Sequence, residues 1–152
     1  MNVLTILRRD HATVKSLFNK YSHTGKSSHE KKIQLFERIR RELQIHSRAE
    51  EEIFYPAIKA MNGTESRKLV SEALKEHNAV DELLIQISRL KPTEKNFDER
   101  METLFENVDH HVELEEGEIF QFVEENCSEE ELNDIGAQMA ERKKVLDRQL
   151  AA

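Results

Sequence analysis

Two stretches of the chain share one spacing, His46-x-x-x-Glu50 and His111-x-x-x-Glu115. Residues four apart lie on the same face of an α-helix, so each pair aims an imidazole and a carboxylate in one direction. His11 and His77 interrupt two other runs of regularly spaced apolar residues. Burying an unpaired imidazole or carboxylate costs on the order of 1–3 kcal/mol or more per group. Gathering His11, His46, Glu50, His77, His111 and Glu115 at one level of a core would be a heavy penalty. A metal reverses it, because the same groups become ligands. Nitrogen and oxygen donors without thiolate favour iron, or less strongly manganese, over a structural zinc site, which prefers four ligands and often Cys.

If two ions share the site and both carboxylates bridge, the protein supplies about four bonds to each ion, where octahedral sites want about six. An oxo or hydroxo bridge adds one to each. About one position per ion is then left for water or a small exogenous ligand such as dioxygen, peroxide or nitric oxide.

The elements that must position these residues read clearly. Apolar residues recur at steps of three and four in Leu4, Leu7, Val14 and Phe18; in Phe36, Ile39, Leu43 and Ile53; in Val70, Ala73, Val80 and Leu84; and in Met101, Leu104, Val108 and Phe122. These are stripes of amphipathic helices, and the polar gaps in them fall at the six candidate residues. Breaks at Ser22–Ser28, at Asn62-Gly63, at Lys91-Pro92 and at Asn126-Cys127-Ser128 divide the chain. The expected helices run roughly over 3–21, 29–60, 65–90, 94–125 and 129–149. Ser128 and Glu131 have the spacing of a capping box. Pro56 predicts a kink in the second helix, which continues to about Met61. Short loops between long helices imply an all-α, antiparallel up-down-up-down four-helix bundle. The charged fifth segment packs outside it as an additional C-terminal helix. The expected organisation is one domain over 1–152, with the bundle at about 3–125. At a rise of about 1.5 Å per residue, His46 with Glu50 and His77 lie about 20 Å either side of their shared turn, so they are level.

Composition narrows the function. Lys plus Arg number 23 and Asp plus Glu 30, a net charge of −7, which opposes nucleic-acid or anionic-membrane binding. One Cys excludes an intrachain disulfide framework. No apolar run approaches the ~20 residues of a membrane span, and none resembles a signal peptide, so the expected compartment is the cytosol. Protein partners are not legible.

The other polar and aromatic residues have plainer readings. His23 and His29 sit at a loop and read as solvated; His110 lies off the seams. Asp10 and Glu76, directly before His11 and His77, read either as hydrogen-bond partners of the site or as surface carboxylates. Tyr21, Phe54, Tyr55 and Phe120 read as core aromatics. Of Glu113, Glu115, Glu116 and Glu118, only Glu115 is in register, with Glu116 the substitute if the helix carries a bulge.

The segments Asp10-His11, His46 to Glu50-Glu51 running on to Phe54-Tyr55-Pro56, Glu76-His77, and His111 to Glu115-Glu116-Gly117-Glu118-Ile119-Phe120 together resemble the hemerythrin-like, or HHE cation-binding, family. The resemblance implies a non-haem di-iron centre inside a four-helix bundle. By matching positions, His11, His46, His77 and His111 would be terminal ligands, and Glu50 and Glu115 the bridges. Two positions depart from the pattern. Oxygen-carrying members place a second His where this chain has Ala73, and Gln121 stands where the second helix has Pro56. Ferritin-like proteins, the nearest rivals, use Glu-x-x-His pairs, and none falls on the seams here.

Three functions fit this reading. The first is binding or sensing of dioxygen or a related small ligand. The second is an enzyme removing hydrogen peroxide or nitric oxide, which Ala73 motivates by opening the coordination sphere. The third is metal storage or metal-stabilised structure.

Overall fold

The computed structural model describes residues 1–25, 28–61 and 63–151. Lys26 and Ser27 of the expected loop, and Asn62 of the expected helix stop, lie outside the described residues. The helices are α1 (Val3–Ser22), α2 (His29–Ala49), α3 (Tyr55–Lys59), α4 (Thr64–Ser88), α5 (Lys95–Leu114), α6 (Phe120–Asn126) and α7 (Glu129–Ala151). Two π turns complete the set. Glu50–Phe54 joins α2 to α3 and Glu115–Ile119 joins α5 to α6, each without a break, so four rods form the bundle and α7 is the fifth long helix. Among the described residues there is no strand.

Local chemistry sets the ends. The Asn2 side chain accepts from the Leu4 N–H at 2.7 Å and caps α1. Gly63 has φ 128°, a left-handed conformation that glycine adopts without steric cost, and it turns the chain into α4. Ser128 and Glu131 exchange both bonds of the capping box, each 3.1 Å, at the start of α7.

The irregularity expected at Pro56 takes the form of the first π turn, which lies just before the proline. Proline is not its cause, because the second π turn precedes Gln121 in the matching place.

The apolar stripes meet in two clusters. One holds Val3, Leu4, Leu7, Phe54, Ile58, Val70, Ile119 and Phe120. The other holds Val14, Phe18, Phe36, Ile39, Leu84, Phe97 and Leu104. Each such side chain, fully buried, contributes about 1.5–3 kcal/mol. Along α1 the first cluster ends at Leu7 and the second begins at Val14, with Asp10 and His11 between them. Along α4 they are separated by His77, and along the fourth rod by His111 and Glu115. The bundle is thus a greasy cylinder with one polar layer across its middle. Helix α7 lies against α1 and α2, burying Leu132, Met139 and Leu146, spaced two turns apart.

Candidate metal centre

Each rod delivers one histidine to the polar layer. The second and fourth rods each add a glutamate one turn later, at the first residue of the π turn. All six side chains are buried, Glu50 and Glu115 completely. Their inward atoms form two interlocked groups. Glu50, His77, His111 and Glu115 offer donor atoms within 4.8 Å of one another, and so do His11, His46 and Glu115. Glu115 belongs to both: its Oε1 is 3.0 Å from His11 Nε2 and its Oε2 is 3.4 Å from His111 Nε2. Glu50 Oε1 lies 3.1 Å from both His46 Nε2 and His77 Nε2, so this carboxylate also faces both groups.

The π turns shape what else reaches the layer. With i→i+5 closure, the residue five positions after each glutamate returns to that glutamate's face. After Glu50 that residue is Tyr55, and after Glu115 it is Phe120. The Tyr55 hydroxyl lies 2.7 Å from Glu115 Oε2, 3.2 Å from Glu50 Oε1 and 3.1 Å from His77 Nε2. Phe120 stacks on His11 at 6.1 Å between centroids. The two halves of the site are therefore unequal: a phenol faces one and a phenyl the other.

A ring of carboxylates surrounds the imidazoles. Asp10 of α1 accepts from His46 Nδ1 of α2 at 2.8 Å. Glu51 in the first π turn accepts from His77 Nδ1 of α4 at 2.9 Å, and Glu76 of α4 from His111 Nδ1 of α5 at 2.8 Å. Glu116 in the second π turn accepts from His11 Nδ1 of α1 at 2.7 Å, which closes the circuit. Every rod gives a carboxylate to the next rod's imidazole. A carboxylate acceptor keeps a proton on Nδ1, so Nε2 is the nitrogen aimed inward to ligate.

The charges agree with a site built for cations. Burial pushes the Glu115 carboxyl up, but the His111 charge and hydrogen bonds outweigh it and hold the group well below its usual range. Burial likewise opposes the charged form of His46, yet Glu50 and Asp10 hold it well above the ordinary imidazole range. His111, facing Glu115, behaves the same way. Burial, then Glu50 and Glu115, push the Tyr55 phenol well above its usual range. Glu50 Oε2 is buried with no hydrogen-bond partner, and His46 Nε2, though 3.1 Å from Glu50 Oε1, makes no well-aligned hydrogen bond. Leaving them unpaired costs free energy that coordination to an ion would recover. The residues present thus fit a bound metal, in donor chemistry and in the atoms left over.

The structure brings His11, His46, Glu50, His77, His111 and Glu115 together in one layer. The bulge considered at Glu116 exists, but it begins at Glu115, so Glu115 faces inward and Glu116 serves His11 from the side. Asp10 and Glu76 are hydrogen-bonded to the histidines. His110 is exposed and reaches Glu76 at 3.2 Å. His23 is exposed and bonded to the Asn19 carbonyl. Three contributors go beyond the sequence reading. Glu51 and Glu116 hold imidazoles, a role signalled by an acidic residue beside each inward glutamate. Tyr55 is a core aromatic whose hydroxyl also enters the site; a regular 3.6-residue helix places it on another face.

Residues 2–123 match the family described as the hemerythrin HHE cation binding domain. The fold is similar to the crystal structure of a hemerythrin HHE cation binding domain-containing protein from Mycobacterium kansasii, with TM-score 0.86 and 27% identity, covering 98% of this chain and 89% of that one. An uncharacterized hemerythrin-like protein of Schizosaccharomyces pombe is 30% identical over 105 residues, 69% of this chain and 52% of its own length. A DNA nickase of a Nostoc species is 29% identical over 151 residues, 99% of this chain and 41% of that protein. The chain therefore spans about half, or less, of these two curated relatives.

Proposed function

Starting from the fact that the chain belongs to the hemerythrin HHE cation-binding domain family, we propose that its buried layer holds two non-haem iron ions and binds or senses dioxygen or a related small ligand. The observation that carries this reading is the pair of interlocked donor groups sharing Glu115. His77, His111, Glu50 and Glu115 would hold one ion, and His11, His46 and Glu115 the other, with Glu50 reaching toward both. Iron held by imidazole and carboxylate with an open position binds and activates small oxygen and nitrogen ligands. Manganese suits the same donors less well.

The rest is the work of the chain. Val14, Leu43, Val80, Val108 and Val112 line a cavity of about 20 Å³ over the histidines. A water molecule needs about 10–15 Å³, so this space has room for one water-sized guest beside the histidines. The ring carboxylates fix the imidazoles, and Tyr55 keeps a proton at its hydroxyl beside Glu115.

A second reading is turnover of hydrogen peroxide or nitric oxide at the same centre. It is favoured by Ala73, fully buried where oxygen carriers have a histidine, together with the phenol of Tyr55 inside the site. A nucleic-acid substrate is not proposed, because a net charge of −7 opposes binding to a polyanion. No described helix is long and apolar enough to cross a membrane. We read 1–152 as one domain and the cytosol as its compartment, where Cys127 stays reduced.

The test is anaerobic loading with ferrous iron, iron analysis, and absorption spectra as oxygen is admitted and withdrawn. Reversible spectral change supports ligand binding. Steady consumption of peroxide or nitric oxide above that of free iron supports turnover. A chain that retains no iron ends both readings.

A further inference from the structure

Of the four ring carboxylates, Asp10 is held differently from the others. Its Oδ2 accepts from His46 Nδ1 at 2.8 Å, while its Oδ1 is hydrogen-bonded to Lys143 Nζ of α7. Among the described residues, Glu51, Glu76 and Glu116 have no lysine or arginine partner. Asp10 is also the least exposed of the four, with its side chain 11% accessible against 41% for Glu51 and 36% for Glu116. The four-helix bundle completes the imidazole layer without α7, yet a cation from α7 reaches one imidazole through a single carboxylate.

We propose that Lys143 is a positioning residue of the metal centre: through Asp10 it fixes His46, and so α7 sets how tightly the ion shared by His11, His46 and Glu115 is held. This rests on the two-ion reading above. The physical reason is the short reach of aspartate. With one methylene, Asp10 has little freedom, so its two oxygens move together: one is bonded to His46 and the other to Lys143. Without the ammonium, Oδ1 would be left poorly solvated and the carboxylate would turn to recover a partner. The imidazole would then lose the acceptor that pins its ring plane and keeps its proton on Nδ1. The other ion is buffered from this change, because His77 and His111 take their carboxylates from Glu51 and Glu76.

The other latches of α7 supply the control. Arg41 pairs with Asp147 at 2.6 Å and Arg142 pairs with Glu52, so α7 is tied to the bundle at points that do not touch Asp10. Lys143→Met keeps the length and apolar stem of the side chain and removes the ammonium. Arg41→Met loosens α7 and leaves Asp10 alone.

The experiment is anaerobic titration of the metal-free full chain and both variants with cobalt(II), read by its visible bands and by competition with a chelator, with circular dichroism to confirm folding. Loss of a hydrogen-bond partner behind a ligand weakens metal binding by about 10–100-fold. The expected result is two ions in the wild type and in Arg41→Met, and in Lys143→Met one ion bound as before and one weakened by about tenfold or more. Lys143→Arg restores the weakened ion. Unchanged binding of both ions in Lys143→Met overturns the inference, as does equal weakening of both ions, or an equal loss in Arg41→Met. A wild-type chain that takes up fewer than two ions overturns the two-ion reading itself, and the inference with it.

Discussion

The hydroxyl of Tyr55 donates to Glu115 across the bundle, 2.7 Å between oxygens, although 60 positions separate the two residues in sequence. This bond satisfies one oxygen of a carboxylate with no access to solvent. Tyr55→Phe removes it and leaves the ring in place. The metal-free protein is expected to lose about 1–3 kcal/mol, measured by urea unfolding. The iron-loaded variant is expected to show an altered absorption spectrum. An unchanged spectrum and an unchanged midpoint would place the hydroxyl outside the working site.

Because Glu115 belongs to both donor groups and His11 to one, their removal is expected to differ. Glu115→Ala should leave less than about one ion per chain, and His11→Ala about one, against about two in the unaltered protein. Metal analysis after desalting decides between them. Equal loss in both variants would contradict the shared carboxylate.

The metal-free protein should respond to pH in a defined sense. His46, His77 and His111 are buried, which opposes charging, but the facing carboxylates raise each above the ordinary value of 6.5. Their stabilisation is complete below that value and is lost as pH rises through the raised folded values. Glu50 and Glu115 are lowered from 4.5, the facing imidazoles outweighing burial, so their contribution is present above 4.5 and lost as pH falls through the lowered folded values. Stability without metal should therefore be highest between 4.5 and 6.5 and decline above. Metal uptake expels the same protons, so affinity should rise with pH over the range where the empty protein weakens. Urea midpoints with and without chelator, across pH, test both slopes.

Two glycines separate packing from propensity. A Cβ at Gly136 of α7 would lie 1.9 Å from the Met1 carbonyl oxygen and 2.9 Å from the Val3 nitrogen, both backbone atoms. Gly136→Ala should push α7 away from the start of α1 and cost about 1–3 kcal/mol. A Cβ at Gly117, in the second π turn, meets nothing within 4 Å. Gly117→Ala should stabilise by up to about 1 kcal/mol through the unfolded chain. Denaturant unfolding of the pair reads both.

The rods were legible because their stripes follow one period and their ends carry recognisable side chains, as Ser128 and Glu131 show at α7. The layer was legible because a histidine in an apolar stripe is costly without a purpose. What escaped was whatever depends on a break in the period. Pro56 hinted at an irregularity, but only the π turn explains why Tyr55 returns to the face of Glu50. Glu51 and Glu116 escaped for a different reason. They are half-exposed side chains in acidic runs, and their role depends on which neighbouring rod stands beside them, which no single helix encodes.

The ring of carboxylates also bears on the order of events as the chain is made. His11 waits for Glu116, and both donor groups wait for Glu115. A nascent polypeptide emerging from the ribosome therefore has no competent binding pocket until the segment carrying Glu115 and Glu116 has been synthesised. Loading is confined to chains in which the four rods have assembled, and shorter nascent ones are spared an ion they could not enclose.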